Sequence, residues 1–77
     1  MGEVVSLMAK ELVDNPDAVE VTEIDKGRLT VVELKVAPED MGKVIGKHGK
    51  IAKTIRTVAK AAAMKQNKRV AVEIVQS

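Results

Sequence analysis

The residues best suited to chemistry lie in the run Val44-Ile45-Gly46-Lys47-His48-Gly49-Lys50-Ile51. Two glycines three apart, between segments of helical character, make a tight helix–loop–helix, and their small size lets another backbone approach closely. The helix that restarts after such a loop offers free N–H groups and the positive end of its dipole, which together suit a phosphate. Lys47 and Lys50 add positive charge beside those donors, and His48 adds more when protonated. The flanking Val44, Ile45, Ile51 and Ile55 are apolar; the inner ones belong to a core, and the outer ones can floor a groove for a nucleobase. A simple elbow whose glycines serve only backbone geometry is the competing reading.

Other chemistries find little support. The chain of 77 residues has no cysteine and one histidine, His48, so thiolate and His-rich metal sites are excluded and no metal or cofactor is expected. The hydroxyl side chains show no arrangement with a base. Glu39 and Asp40 are adjacent in the way a helix start requires, rather than as an acid/base pair. No G-x-x-x-x-G-K-[ST] phosphate loop occurs. Catalysis is therefore not expected. Phe, Tyr and Trp are absent, which excludes base recognition by aromatic stacking.

The net charge of +2 conceals a division. Residues 1–40 carry four cations against ten acids, a net of −6, whereas residues 41–77 carry seven lysines and two arginines against Glu73 alone, a net of +8. The basic half points to an anionic partner, or the two halves pair with each other on the folded surface. No apolar run approaches the about 20 residues of a membrane span, and no secretory signal pattern opens the chain, so the cytoplasm is the expected location.

The elements that must position the loop follow from periodicity. Val4, Val5, Met8 and Leu12 predict a helix over about residues 3–13, stopped by Asp14-Asn15-Pro16-Asp17. Residues 19–25 and 29–36 predict a β-hairpin turning at Lys26-Gly27, with Thr30, Val32, Leu34 and Val36 on one face. Pro38, Glu39 and Asp40 open a second, short helix that a four-residue break at 46–49 ends. A third helix is predicted from about 50 to 66, closed by Asn67, with Ile51, Ala52, Ile55, Val58, Ala59 and Ala62 on its buried face. A last strand over 69–75 turns Val70, Val72 and Ile74 inward. The order is α-β-β-α-α-β, an α+β chain forming one domain, with helices layered over a three-stranded sheet.

Basic character, the V-I-G-K-x-G-x-I pattern and this order together resemble a KH domain of the prokaryotic, type II, kind. The phrases Leu12-Val13-Asp14-Asn15-Pro16, Glu39-Asp40-Met41-Gly42-Lys43-Val44-Ile45-Gly46-Lys47 and Ile51-Ala52-Lys53 through Arg56-Thr57-Val58 extend the likeness to the small bacterial single-KH RNA-binding proteins called KhpA. The resemblance covers essentially the whole chain. It implies a non-catalytic, cytoplasmic single-stranded-RNA-binding protein, an RNA chaperone or post-transcriptional regulator, of a family linked to cell shape. It makes Gly46, Lys47, His48 and Gly49 a clamp on the RNA backbone. It places Val44, Ile45, Ile51 and Ile55 at or beneath the groove, and Lys43, Lys50, Lys53 and Arg56 on its basic rim. The Lys26-Gly27-Arg28 turn is expected to add charge to that rim. The resemblance further implies a homodimer, or a heterodimer with a larger Jag-type KH protein (KhpB). Two other classes remain in view, a protein–protein dimerisation module and a duplex-DNA helix–turn–helix, although Lys50-Ile51-Ala52-Lys53 supplies little with which to read bases.

Overall fold

A computed structural model describes residues 1–76, apart from the side chains of Lys47 and Gln76. Its elements are α1 (Gly2–Leu12), a single 3-10 turn (Pro16–Ala18), β1 (Glu20–Lys26), β2 (Leu29–Val36), the long helical segment α2 (Pro38–Met64) and β3 (Arg69–Gln76). The strands form one sheet with β2 in the centre, antiparallel to β1 and parallel to β3.

The hairpin is the most local feature. Lys26 pairs with Leu29, so the turn is Gly27-Arg28, one residue later than the sequence suggests. Gly27 has φ +83°, and its N–H donates to Asp25 Oδ1 at 2.9 Å. Positive φ at the first turn position alone is the type II′ pattern, in which glycine carries no Cβ penalty.

Strand alternation sets the two faces of the sheet. Thr30, Val32, Leu34 and Val36 are buried on β2, and their register partners Val70 and Val72 are buried on β3. The helices cover this face only. From α1, Val5 and Ala9 enter the core completely; from α2, Val44, Ile55 and Ala59 do so. Apolar-stripe reasoning passes over Ala9, because alanine suits a helix whether buried or exposed.

The helix break lies later than expected, and it is shorter. Gly46 and Lys47 keep helical backbone, and the interruption consists of His48 at φ +65° and Gly49 at φ +66°. No right-handed helix passes through two consecutive left-handed residues. The segment therefore acts as two helices, an N-terminal arm over residues 38–47 and a C-terminal arm over 50–64, preserving the α-β-β-α-α-β order. Histidine is among the few non-glycine residues enriched at such angles.

The C-terminal arm ends at Met64. Asn67 takes φ +56°, its N–H donates to Met64 O at 3.1 Å, and Lys68 N–H donates to Ala63 O at 3.0 Å. That pair of bonds is a Schellman motif, with asparagine where glycine is more usual.

Candidate nucleic-acid interface

The loop stands where α2 changes direction. His48 is exposed, Gly49 and Gly46 are half-buried, and the Lys47 side chain lies outside the described residues. Because the C-terminal arm starts afresh after Gly49, its first amides stand where a helix leaves its N–H donors without carbonyl partners. Lys50 and Lys53 project from the same first turn and are exposed.

Beside the loop, along the arm, runs an open hollow of about 490 Å³ lined by His48, Lys50, Lys53, Thr54, Thr57 and Val58. Thr54 Oγ1 donates to Lys50 O at 2.9 Å, and Thr57 Oγ1 donates to Lys53 O at 2.8 Å. Both hydroxyl protons are thus committed to the helix backbone. The hollow is floored by aliphatic groups and rimmed by cations.

The four apolar candidates separate by depth. Val44 and Ile55 have no exposed surface and belong to the core, Ile51 is half-buried against it, and Ile45 is 54% exposed. Ile45 is therefore the aliphatic side chain that the loop region offers to a ligand. Beneath it, Val44 and Ile55 fix the two arms to the sheet.

The glycines of the N-terminal arm have no role in the fold that the structure accounts for. Neither Gly42 nor Gly46 has positive φ, and an added Cβ at either meets nothing within 4 Å. Each weakens the helix by about 0.5–1 kcal/mol relative to alanine. Four residues apart, they share one helix face and leave its backbone bare. The sequence reading does not single out Gly42; its i, i+4 spacing to Gly46 is the signal that could have found it.

The cations divide into groups. Lys43 Nζ lies 3.2 Å from Asp14 Oδ1, which ties it to the exit of α1. Arg56 Nε donates to the Val72 carbonyl at 3.2 Å, so this side chain bridges α2 to the edge of β3. Lys60, one turn on, shares with Arg56, Val70, Ala71 and Val72 a second hollow of about 210 Å³. Lys50, Lys53, Arg56 and Lys60 form one stripe down the arm.

The Lys26-Gly27-Arg28 turn is not part of this rim. Arg69 N–H donates to Arg28 O at 2.9 Å, which places the turn beside the start of β3 and the end of α2. The loop lies at the other end of the C-terminal arm, about 20 Å of helix away at 1.5 Å per residue. The sequence could not show this, because the parallel pairing of β3 decides which turn meets which loop.

Asp40, expected to complement the α2 dipole, also holds the scaffold together. It is buried, accepts the Asp14 N–H on Oδ1 at 3.1 Å, and accepts the Asn15 N–H and Nδ2 on Oδ2 at 3.1 and 3.2 Å. Burial pushes its pKa upward, but the hydrogen bonds from Asp14 and Asn15, with the Lys43 charge, outweigh that and hold it below the usual carboxylate value. Among the described residues no cluster of His, Asp or Glu could hold a metal ion.

Comparison with known proteins agrees with this geometry. The sequence model described as "KhpA/KhpB, KH domain" matches residues 2–74. The chain is 67% identical over 75 residues to the RNA-binding protein KhpA of Caldanaerobacter subterraneus subsp. tengcongensis, covering 97% of this chain and 100% of that protein. It is 61% identical, over the same shares, to the RNA-binding protein KhpA of Clostridium acetobutylicum. In fold it is similar to part of Era, solved in complex with MgGDPNP and nucleotides 1506-1542 of 16S ribosomal RNA, with a TM-score of 0.69 and 22% identity; the match covers 97% of this chain and 29% of Era. With its helix pair broken at His48-Gly49 over a three-stranded sheet, and with relatives this close along their whole length, the chain belongs to the KhpA/KhpB KH-domain family.

Proposed function

We propose that this chain is a non-catalytic RNA-binding protein that clamps the backbone of a single RNA strand at residues 46–49. The observation that carries the reading is Gly46, a helical glycine with open space where a Cβ would stand and no conformational need to be glycine. A bare helix backbone beside a helix restart is what close approach of a sugar–phosphate chain requires. Its relatives are named as RNA-binding proteins, which supports the same reading.

The residues divide the work. Amides at the start of the C-terminal arm meet phosphate, Lys47, Lys50 and Lys53 supply charge around it, and the exposed His48 ring offers a hydrogen-bonding group beside them. Ile45 and the aliphatic hollow receive a base face without stacking, since the chain has no aromatic side chain. Lys43 and Arg56, each tied to protein partners, set the width of the groove.

One KH module holds about four nucleotides, so affinity is modest and sequence preference loose. A second module, in another copy or in a larger KH protein, raises it through effective concentration. No helix among the described residues is long and apolar enough to cross a membrane, and the site of action in this reading is the cytoplasm.

The test is titration of a labelled single-stranded oligoribonucleotide against the parent chain and the pair Lys47→Asp, His48→Asp. The parent binds with a log affinity that falls against log salt at a slope of about −2 to −3.5, for roughly three to five phosphate contacts at 0.7 each. The variant keeps its fold by circular dichroism and loses binding. Unchanged affinity in the folded variant overturns the clamp, and preference for duplex DNA over single-stranded RNA restores the helix–turn–helix reading.

A further inference from the structure

Five of the cations that the clamp does not use gather at the opposite end of the domain. Lys26 closes β1, Leu29 opens β2 and Arg69 opens β3 in one cross-strand row. At inter-strand spacing this row brings Lys26 and Arg69 to about 10 Å between Cα atoms. Arg28 lies in the turn, fastened to Arg69 by its carbonyl. Lys65 and Lys68 come from the chain that leaves α2, and Lys68 is fixed by its bond to Ala63. All five side chains are exposed, and none forms an ion pair among the described residues. The acids nearest on the sheet already accept backbone N–H groups: Asp25 that of Gly27, and Glu23 that of Gly2.

Two separate connections, the hairpin turn and the α2–β3 loop, thus bring five charges to one end of the sheet. The stripe of Lys50, Lys53, Arg56 and Lys60 leads to it from the loop along one arm. Cations distributed in this way along the domain fit an extended polyanion better than a compact acidic partner.

We infer that this end of the domain is a second phosphate-contact site, which takes the backbone of an RNA strand beyond the nucleotides held at the 46–49 loop. The inference rests on the RNA-clamp reading above. It makes affinity depend on RNA length, because a short oligonucleotide at the loop never reaches Arg28 or Lys68.

The experiment compares single-stranded oligoribonucleotides of about four and about twelve nucleotides, the first matching one KH clamp. In the parent chain, amide chemical shifts at Gly27, Arg28 and Lys68 move with the longer strand and stay still with the shorter. The triple variant Lys26→Gln, Arg28→Gln, Lys68→Gln binds the short strand as before. It binds the long one roughly tenfold more weakly, with a salt slope shallower by about 0.7 for each phosphate no longer neutralised. Long-strand affinity and slope unchanged in the variant overturn the second site and leave the patch to an acidic protein. Equal losses for both lengths also overturn it. The pair Lys47→Asp, His48→Asp separates the two readings: if it still binds the long strand while the triple variant does not, the clamp fails and the end site stands. If the parent binds neither strand, both fail.

Discussion

Asp40, in the first turn of α2, holds Asn15 by both its backbone N–H and its side-chain amide, at 3.1 and 3.2 Å on the same carboxylate oxygen. With Asp14 on the other oxygen, one buried side chain joins the exit of α1 to the start of the arm that carries the loop. Replacing it by asparagine puts a donor where acceptors are needed. Asp40→Asn has a lower thermal midpoint at neutral pH, read by circular dichroism. Because the folded-state pKa lies below the ordinary value of 3.8, the charged carboxylate's stabilisation is fully present above that value and is lost as pH falls through the folded-state pKa. The gap between parent and variant narrows in acid, and a gap constant with pH removes the carboxylate from the explanation.

Gly46 and Gly49 respond oppositely to alanine. Gly49 has φ +66°, so Gly49→Ala costs about 1 kcal/mol in urea unfolding. Gly46→Ala raises stability by about 0.5–1 kcal/mol and weakens RNA binding, since its methyl stands in the approach path. A stabilised Gly46→Ala that binds normally removes close approach as the reason for this glycine.

Val44 and Ile45 are neighbours with opposite duties. Val44 is wholly buried and Ile45 is 54% exposed. Val44→Ala lowers unfolding free energy by about 2 kcal/mol. Ile45→Ser changes it by only about 0.5 kcal/mol and reduces RNA affinity. Denaturant unfolding and anisotropy titration of both variants check the division, which fails if the two effects travel together.

Arg56 gives a distinct signature because its Nε is a structural donor to Val72 O. Arg56→Ala loses about 0.5–1.5 kcal/mol of stability together with one charge of the stripe. Arg56→Lys keeps the charge without the planar donor geometry. It therefore recovers the salt slope but not the stability, as paired salt and urea titrations reveal. Full recovery of both by lysine excludes the bridge to β3.

Periodicity carries the α-β-β-α-α-β order, the buried alternation of β2 and the inward Val70 and Val72, because each depends on neighbours a few residues apart. The loop motif is legible for the same reason. The position of the break is not: Gly46 reads as a helix breaker, yet right-handed backbone continues through Lys47, and the reversal falls at His48-Gly49. Asp40 and Asn15 meet across 25 positions, and no local pattern marks such a partner. The charge of the Lys26-Gly27-Arg28 turn is visible in the sequence while its location is not, which is why the expectation of a place on the loop's rim fails.

Each partner pair between β2 and β3 is 40 positions apart, from Leu29 with Arg69 to Val36 with Gln76. The hairpin of β1 and β2 forms in about 1–10 μs, long before such distant strands meet. Until β3 arrives, the central strand has a bare edge, and the inward faces of Val32 and Leu34 lack their cross-strand neighbours. Pairing over that separation is the kind of contact that slows folding, and both arms of α2, with the His48-Gly49 reversal between them, lie in the stretch of chain it must close. The segment that carries the loop is thus also the one that separates the central strand from its last partner in the chain.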